Sequence, residues 1–322
     1  MKKISVLVPC FNEQENVVTL AEAIGCEFRE NLPEYAYDIL FIDNRSKDET
    51  RQRLEVLCAA DAHVRAIFNL KNFGQFNSPY YGLMQTDGDC TILMCADFQD
   101  PVHMIPQFVK EWENGARVVC GIKTKSKENP LMYFLRSCYY KAIKKMSDVR
   151  QIEHFTGFGL YDRSFIDILR ELRDPTPFLR GIVAEYAPDH VEIPYEQARR
   201  RAGKTHNNWY TLYDAAMLSF TSYTKVGLRL ATFLGFGIAG VSAVVALVYL
   251  ILKLIYWNRF VAGTAPMVVG IFLLGGIQLL FIGLLGEYIL SINERVIHRP
   301  LVIEEKRLNF PRDENTDAAS RR

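Results

Sequence analysis

The sequence predicts an α/β domain built on a mostly parallel sheet, followed by a C-terminal hairpin of two transmembrane helices. Three observations lead there. Strand and helix signals alternate through residues 1–125, the order that produces parallel sheets with right-handed crossovers. Two runs, 231–252 and 260–286, contain no charged residue, and at 1.5 Å per residue each covers roughly 33 Å or more, enough to cross a hydrocarbon core. Composition over 322 residues is otherwise that of a folded chain, 49% hydrophobic and 23% charged, so the mean hydropathy of -0.01 averages a polar part with a strongly apolar one.

Residues 4–9 form a short β-branched run that reads as the first strand, and Pro9, Asn12 and Glu13 close it. The lysines before it resemble the start of a signal peptide, but the apolar stretch is too short and no small-residue cleavage site follows. A helix is expected over 15–29. A second apolar run at 38–43 ends in Asp43, and Ser46-Lys-Asp-Glu49 has the form of a capping box opening the next helix. Strands over 64–69, 90–95 and 116–121 alternate with helices over 78–85 and 105–114. Between Trp209 and Leu228 aromatic and aliphatic residues recur at helical spacing, as in a helix lying on a bilayer. The resulting division is 1–208 for the α/β domain, 209–228 for the interfacial helix, 229–292 for the hairpin and 293–322 for a cytoplasmic tail, polar and disordered from Arg312. The two spans lie at about 231–256 and 262–290.

Positive charge sets the orientation of that hairpin. Lys225 and Arg229 precede it, and Arg295, His298, Arg299, Lys306 and Arg307 follow it, whereas the turn carries Arg259, with Lys253 just inside the first span. This bias places both termini and the α/β domain in the cytoplasm, at the plasma (inner) membrane. Glycines at 235, 237 and 240 and at 270, 275 and 276 permit close helix packing, within one chain or in a homo-oligomer. The 38 basic residues nearly cancel 37 acidic ones, so no global charge draws the chain to nucleic acid. Seven cysteines, an odd number with no CxxC and no histidine at ligand spacing, read as reduced thiols of a cytosolic domain.

In open α/β sheets ligands bind beyond the carboxyl ends of the strands, and the polar residues stand there. The first strand runs into Asn12 and Glu13, the second into Asp43 and Asn44, the fourth into Asp97, Gln99 and Asp100. No GxGxxG follows the first strand and no GxxxxGK[ST] occurs, which removes the main warrant for dinucleotide oxidoreductases and phosphate-loop nucleotidases. What remains is a nucleotide held by carboxylates and a metal. Mg²⁺ or Mn²⁺ favours oxygen ligands from one or two carboxylates plus substrate phosphates, and Asp97 is the best single ligand. Gln99 and Asp100 are placed to position the ion or a sugar, and Asp43 suits the ribose or base.

At these residues the chain resembles the glycosyltransferase family 2 enzymes, and within them the polyprenyl-phosphate glycosyltransferases related to dolichol-phosphate mannose synthase. The matching pieces are Val6-Leu-Val-Pro-Cys-Phe-Asn-Glu13, Asp43-Asn-Arg-Ser-Lys-Asp-Glu-Thr50, Lys71-Asn-Phe-Gly-Gln75, Ala96-Asp-Phe-Gln-Asp-Pro101 and Thr156-Gly-Phe-Gly-Leu-Tyr-Asp-Arg163. The resemblance implies a Rossmann-like GT-A fold, a nucleotide diphosphate sugar as donor, Mg²⁺ or Mn²⁺, and inverting transfer to an isoprenoid phosphate. It places Pro9, Asn12, Glu13, Asp43, Lys71 and Asp97 on the donor nucleotide, with Asp97 and Gln99 on the metal. The chain departs from the family's pattern in four places. Cys95 stands where an acidic residue is common, Asn44 replaces the second residue of an Asp-Asp pair, Arg45 replaces a glycine, and Gly157 with Gly159 replaces an acidic and a basic residue.

A phosphate acceptor, with its second pKa near 6, is already largely dianionic at neutral pH and needs positioning more than deprotonation. No essential general base is therefore expected; Glu153 and Asp162 are the residues able to assist, beside Asp97, Gln99 and Asp100. Lys123, Arg136, Arg200, Arg201 and Lys204 are the basic residues suited to the acceptor phosphate, the last three in a loop turning at Gly203. The leading expectation is transfer of glucose from UDP-glucose to undecaprenyl phosphate or a similar polyprenyl phosphate at the cytoplasmic membrane face. The alternatives are another donor, a saccharide or lipid hydroxyl as acceptor, or a degenerate domain acting as a membrane scaffold.

Overall fold

The computed structural model describes residues 1–125, 152–198, 264–297 and 299–310, with isolated positions between 217 and 255. The chain forms two units: one combines Met1–Cys138, Arg150–Asn207 and His298–Arg322, the other Tyr139–Val149 and Asn208–Ile297.

In the first unit, β1 (Lys3–Cys10), β2 (Ala36–Asp43), β3 (Val64–Asn69) and β4 (Cys90–Leu93) run parallel. They alternate with α1 (Val17–Asn31), α2 (Thr50–Ala60), α3 (Gly74–Gln85) and α4 (Ile105–Glu113). β5 (Val118–Lys125), β6 (Phe155–Asp162), α5 (Arg163–Leu172), α6 (Leu179–Tyr186) and β7 (Val191–Glu196) extend one side, and β8 (Glu304–Leu308) closes the other. The sheet order is β7-β5-β6-β4-β1-β2-β3-β8, with β6 and β8 antiparallel to their neighbours. This is the α/β fold with a mostly parallel sheet that the alternation predicted.

Burial with period two on both faces is the physical reason. Ile39 and Phe41 of β2 face one core, closed by Leu20 and Ile24 of α1, Leu54 of α2 and Phe108 of α4. Leu40 and Ile42 face the other, closed by Tyr80 and Leu83 of α3, Phe165 of α5 and Ile182 of α6. Strands covered on both sides read as continuous apolar runs, which is why β1 to β4 were visible in sequence. β6, β7 and β8 have no counterpart in the sequence reading. β6 is interrupted by glycines, β7 carries Pro194 at an edge that spares its missing N–H, and β8 is the charged Glu-Glu-Lys-Arg-Leu expected of an outer strand.

Two local expectations are corrected. The capping box does not form: α2 begins at Thr50, whose N–H donates to Asp48 Oδ1 (3.0 Å), while Ser46 Oγ accepts instead from the Asn12 N–H (2.8 Å). Within the tail expected over 293–322, Glu304–Leu308 is an edge strand on β3, pinned by Asn309, whose Nδ2 donates to Cys58 O (2.6 Å) and Val64 O (2.7 Å).

In the second unit, α7 (Thr264–Val296) is 33 residues long, about 50 Å at the α-helical rise. Met267, Ile271, Leu279, Ile282 and Ile289 on it are exposed. Among the described residues no helix is long and apolar enough to cross a membrane. In sequence, α7 carries no charge from Thr264 to Gly286. The interfacial helix expected over 209–228 and the first span over 231–256 lie outside the described residues, isolated positions excepted.

Candidate active site

Because β1 to β4 are parallel, their carboxyl ends share one edge, and register sets Cys10 beside Asp43 and Asp43 beside Phe68. Four loops meet there. The first is held in a left-handed turn at Asn12 (φ 57°) by exchange with the second: Lys47 N–H donates to Asn12 Oδ1 (2.8 Å) and Glu13 N–H to Thr50 Oγ1 (2.9 Å). Glu13 is buried and accepts from Asn16 Nδ2 (2.6 Å). Pro9 lies half-buried in β1 opposite Ile42.

Asp43 has no exposed surface. Both its oxygens accept from the Ser46 N–H (3.2 Å), and Arg51 Nε lies 3.4 Å from Oδ2. Burial pushes the Asp43 carboxyl above its ordinary range, and Ser46, Arg51 and the Arg45 N–H pull it partly back. The side chain therefore folds the 44–50 loop.

Asn44 does what a second aspartate could not. Its Nδ2 donates to Asn72 Oδ1 (3.0 Å) and Gly74 O (3.0 Å), while its Oδ1 accepts from Phe73 N–H (2.8 Å) and Asn69 Nδ2 (3.2 Å). A carboxylate has no hydrogen to donate. The departure from Asp-Asp is thus the hub that ties the third loop, carrying exposed Lys71, to the second.

The fourth loop follows β4. Phe98 is left-handed (φ 58°), which lets the Gln99 N–H turn back onto Asp97 Oδ1 (3.1 Å). Asp100 is 3% exposed and closes the turn from beneath, accepting from the Cys95 N–H (2.9 Å) and the Tyr195 hydroxyl (3.1 Å). Burial, aided by the Asp97 charge, pushes its carboxyl up to about 6. Asp100 is thus a support for the turn that carries Asp97, itself 4% exposed, and half-buried Gln99. Among the described residues no three His, Cys, Asp or Glu side chains gather around a common metal position. Asp97 and Gln99 still fit Mg²⁺ or Mn²⁺, since one carboxylate and one amide oxygen suit a hard cation that completes its shell with substrate phosphates. The Cys95 thiol, exposed beside them, is too soft to be a further ligand.

β5 and β6 bring a second group to this edge. Lys123 is half-buried opposite Tyr195, and its N–H donates to His154 O (3.3 Å), beside exposed Glu153. Gly157 is left-handed (φ 106°), a backbone that strains any side-chain-bearing residue, and a Cβ on Gly159 would stand 2.2 Å from Val119 O, so β6 has no room for a side chain at 159. Asp162 is elsewhere. It pairs with Cys90 at the amino end of β4, accepts from Trp112 Nε1 (2.8 Å) and caps α5 through the Ser164 N–H (2.8 Å). Its carboxyl is held below the usual range by Ser164 and Trp112, against the opposing effect of burial. A cap at the far end of the sheet is not placed to act on the ligand edge. Arg136, Arg200, Arg201 and Lys204 lie outside the described residues.

Sequence reading missed Tyr195, Arg51 and the linking role of Asn44. Only Asn44 left a signal, as a departure within a motif.

Residues 5–170 match the family model described as glycosyl transferase family 2. The chain is 32% identical over 305 residues to the SfII prophage-derived bactoprenol glucosyl transferase of Shigella flexneri, covering 94% of this chain and 98% of that protein. It is also 32% identical to a prophage bactoprenol glucosyl transferase homolog of Escherichia coli K12, covering 89% and 93%. Among solved structures, glucosyl-3-phosphoglycerate synthase from Mycobacterium tuberculosis in complex with uridine diphosphate aligns at TM-score 0.47 and 13% identity, covering 68% of this chain and 79% of that one.

Proposed function

Since the chain belongs to glycosyltransferase family 2 and is a glycosyltransferase, we propose that it transfers a hexose, glucose from UDP-glucose, to undecaprenyl phosphate or a related polyprenyl phosphate. The observation that carries this reading is the turn presenting Asp97 and Gln99 at the carboxyl edge of the sheet, supported from beneath by Asp100. Near full-length likeness to proteins named bactoprenol glucosyl transferases supports the choice of acceptor.

In the proposed reaction a phosphate oxygen of the lipid forms a bond to the anomeric carbon as the bond from that carbon to the nucleoside diphosphate breaks. Attack from the face opposite the leaving group inverts the anomeric centre. Asn12, Glu13 and the Asp43-supported loop seat the nucleotide, with Pro9 and Lys71 at its margins. Asp97 and Gln99 would hold Mg²⁺ or Mn²⁺ arriving with the donor, which supplies Lewis-acid neutralisation of the departing diphosphate. Because the acceptor is already anionic, the residues need to orient it rather than deprotonate it. Lys123, with Arg136, Arg200, Arg201 and Lys204, is assigned that task, and Glu153 at the same edge is the residue able to assist a proton.

Localisation follows the same reading. The charge-free runs 231–252 and 260–286 and the basic residues flanking them support an anchor at the inner membrane, with the catalytic unit and both termini cytoplasmic. Close packing at the span glycines suits a homo-oligomer. The test is a membrane preparation of the full chain given radiolabelled UDP-glucose, undecaprenyl phosphate and Mg²⁺ or Mn²⁺. A labelled, organic-extractable lipid is expected, lowered about a thousandfold or more by Asp97→Ala. No labelled lipid with any donor in a panel of nucleotide sugars would refute the reading.

A further inference from the structure

β8 is contributed by the chain that follows α7. Glu305 on β8 faces the nucleotide loop across the β3 edge. Arg51 Nη2 donates to Glu305 Oε2 (3.0 Å), and the same oxygen is paired with Arg45 Nη1. Arg51 in turn lies against Asp43 Oδ2 (3.4 Å) and packs its guanidinium over the Phe68 ring, 5.1 Å from its centroid. Charges thus alternate from buried Asp43 through Arg51 and Glu305 to Arg45. Without Glu305, the two arginines would face each other across a loop that must also accept a nucleotide.

Arg45 is the outer member of this arrangement. It stands where a glycine would suit the backbone, at φ 67°, in the left-handed region that costs a side-chain-bearing residue about 1 kcal/mol or more. A residue kept there against that cost needs a compensating contact, and its partner is Glu305, 260 positions later in the chain.

We infer that Glu305 is a positioning residue for the donor: with Arg45 and Arg51 it forms a clasp by which the C-terminal strand holds the 43–51 loop in its nucleotide-binding form. The catalytic unit is therefore incomplete without the segment that follows the hairpin. This rests on the proposed donor being a nucleoside diphosphate sugar, with uridine diphosphate as the probe.

The experiment measures uridine diphosphate affinity by calorimetry and the donor KM and kcat of the full-length protein. Glu305→Gln is expected to weaken uridine diphosphate binding and raise donor KM about fivefold to tenfold, with kcat at saturating donor within twofold of the unaltered enzyme. Glu305→Asp should recover part of the loss, and Arg45→Gly combined with Glu305→Gln should lose less than the two effects multiplied. Lys306→Ala, on the same strand as Glu305, removes an exposed pair with Glu55 of α2 and should leave affinity unchanged. Equal weakening by Lys306→Ala and Glu305→Gln would reduce β8 to a generic edge strand and overturn the clasp. So would unchanged affinity in Glu305→Gln. An unaltered protein that binds no uridine diphosphate would instead refute the donor reading, and the clasp with it.

Discussion

The two ends of the parallel sheet both bury aspartates, and they compensate them differently. At the amino ends, Asp38 is 4% exposed, accepts from Ser5 Oγ (2.6 Å) and is flanked by Arg65 Nη1 (3.1 Å) and Lys3 Nζ (3.5 Å). Asp87 joins the same cations. All these partners but Asp87 stand on the neighbouring strands β1 and β3, so the network is part of the sheet. At the carboxyl ends, Asp43 is met chiefly by Ser46 and by one guanidinium from α2. Burial pushes both carboxyls up, and what pulls them back is a strand-borne network in one case and a loop in the other. A loop whose conformation is set by one buried carboxylate can respond to a ligand, whereas a sheet network can only hold. The amino end is held by a network within the sheet, and the carboxyl end, where the proposed function seats the donor, is held by its loops.

The largest effect that would sharpen this contrast is at Arg65. Arg65→Met leaves Asp38 buried with its principal cation removed, and should lower stability by about 3 kcal/mol while uridine diphosphate affinity stays within twofold. A thermal melt alongside calorimetry checks it, and a large loss of affinity at equal stability would break the division of labour. Asn44→Asp comes next. It removes two donated hydrogen bonds and sets a second carboxylate beside Asp43, so a cost of about 2 kcal/mol is expected, together with weaker nucleotide binding as the 69–74 loop loosens. Stability lost without any change in affinity would place Asn44 with the structural end. Smallest is Asp162→Ala. Loss of the α5 cap and the Trp112 bond should cost about 1 kcal/mol, with kcat and donor KM unchanged; a drop in kcat of a hundredfold would return Asp162 to the chemistry.

Much of the fold was legible because β1 to β4 are covered on both faces and their helices follow short polar loops. The place of Asp97 and Gln99 just beyond β4 could be read for the same reason: they follow a strand whose end is visible. Asp162 misled because an aspartate after an apolar run looks alike at either end of a sheet, and only the antiparallel pairing of β6 with β4 sends it to the amino side. Ser46 misled in a related way, since a hydroxyl three residues before a glutamate suits a cap until a neighbouring loop offers it the Asn12 N–H.

By itself the sequence determined that an α/β glycosyltransferase domain carries its polar residues at strand ends and is joined to two long apolar runs. Those features are local, encoded in period, charge and turn chemistry over a few residues. Tertiary structure decided which strand ends share an edge, that Asn44 rather than a second aspartate ties the loops, and that a charged segment at 304–308 returns to the sheet to pair with Arg45 and Arg51. Pairings across 250 residues depend on the sheet that brings an edge within reach, and no short window of sequence contains that edge.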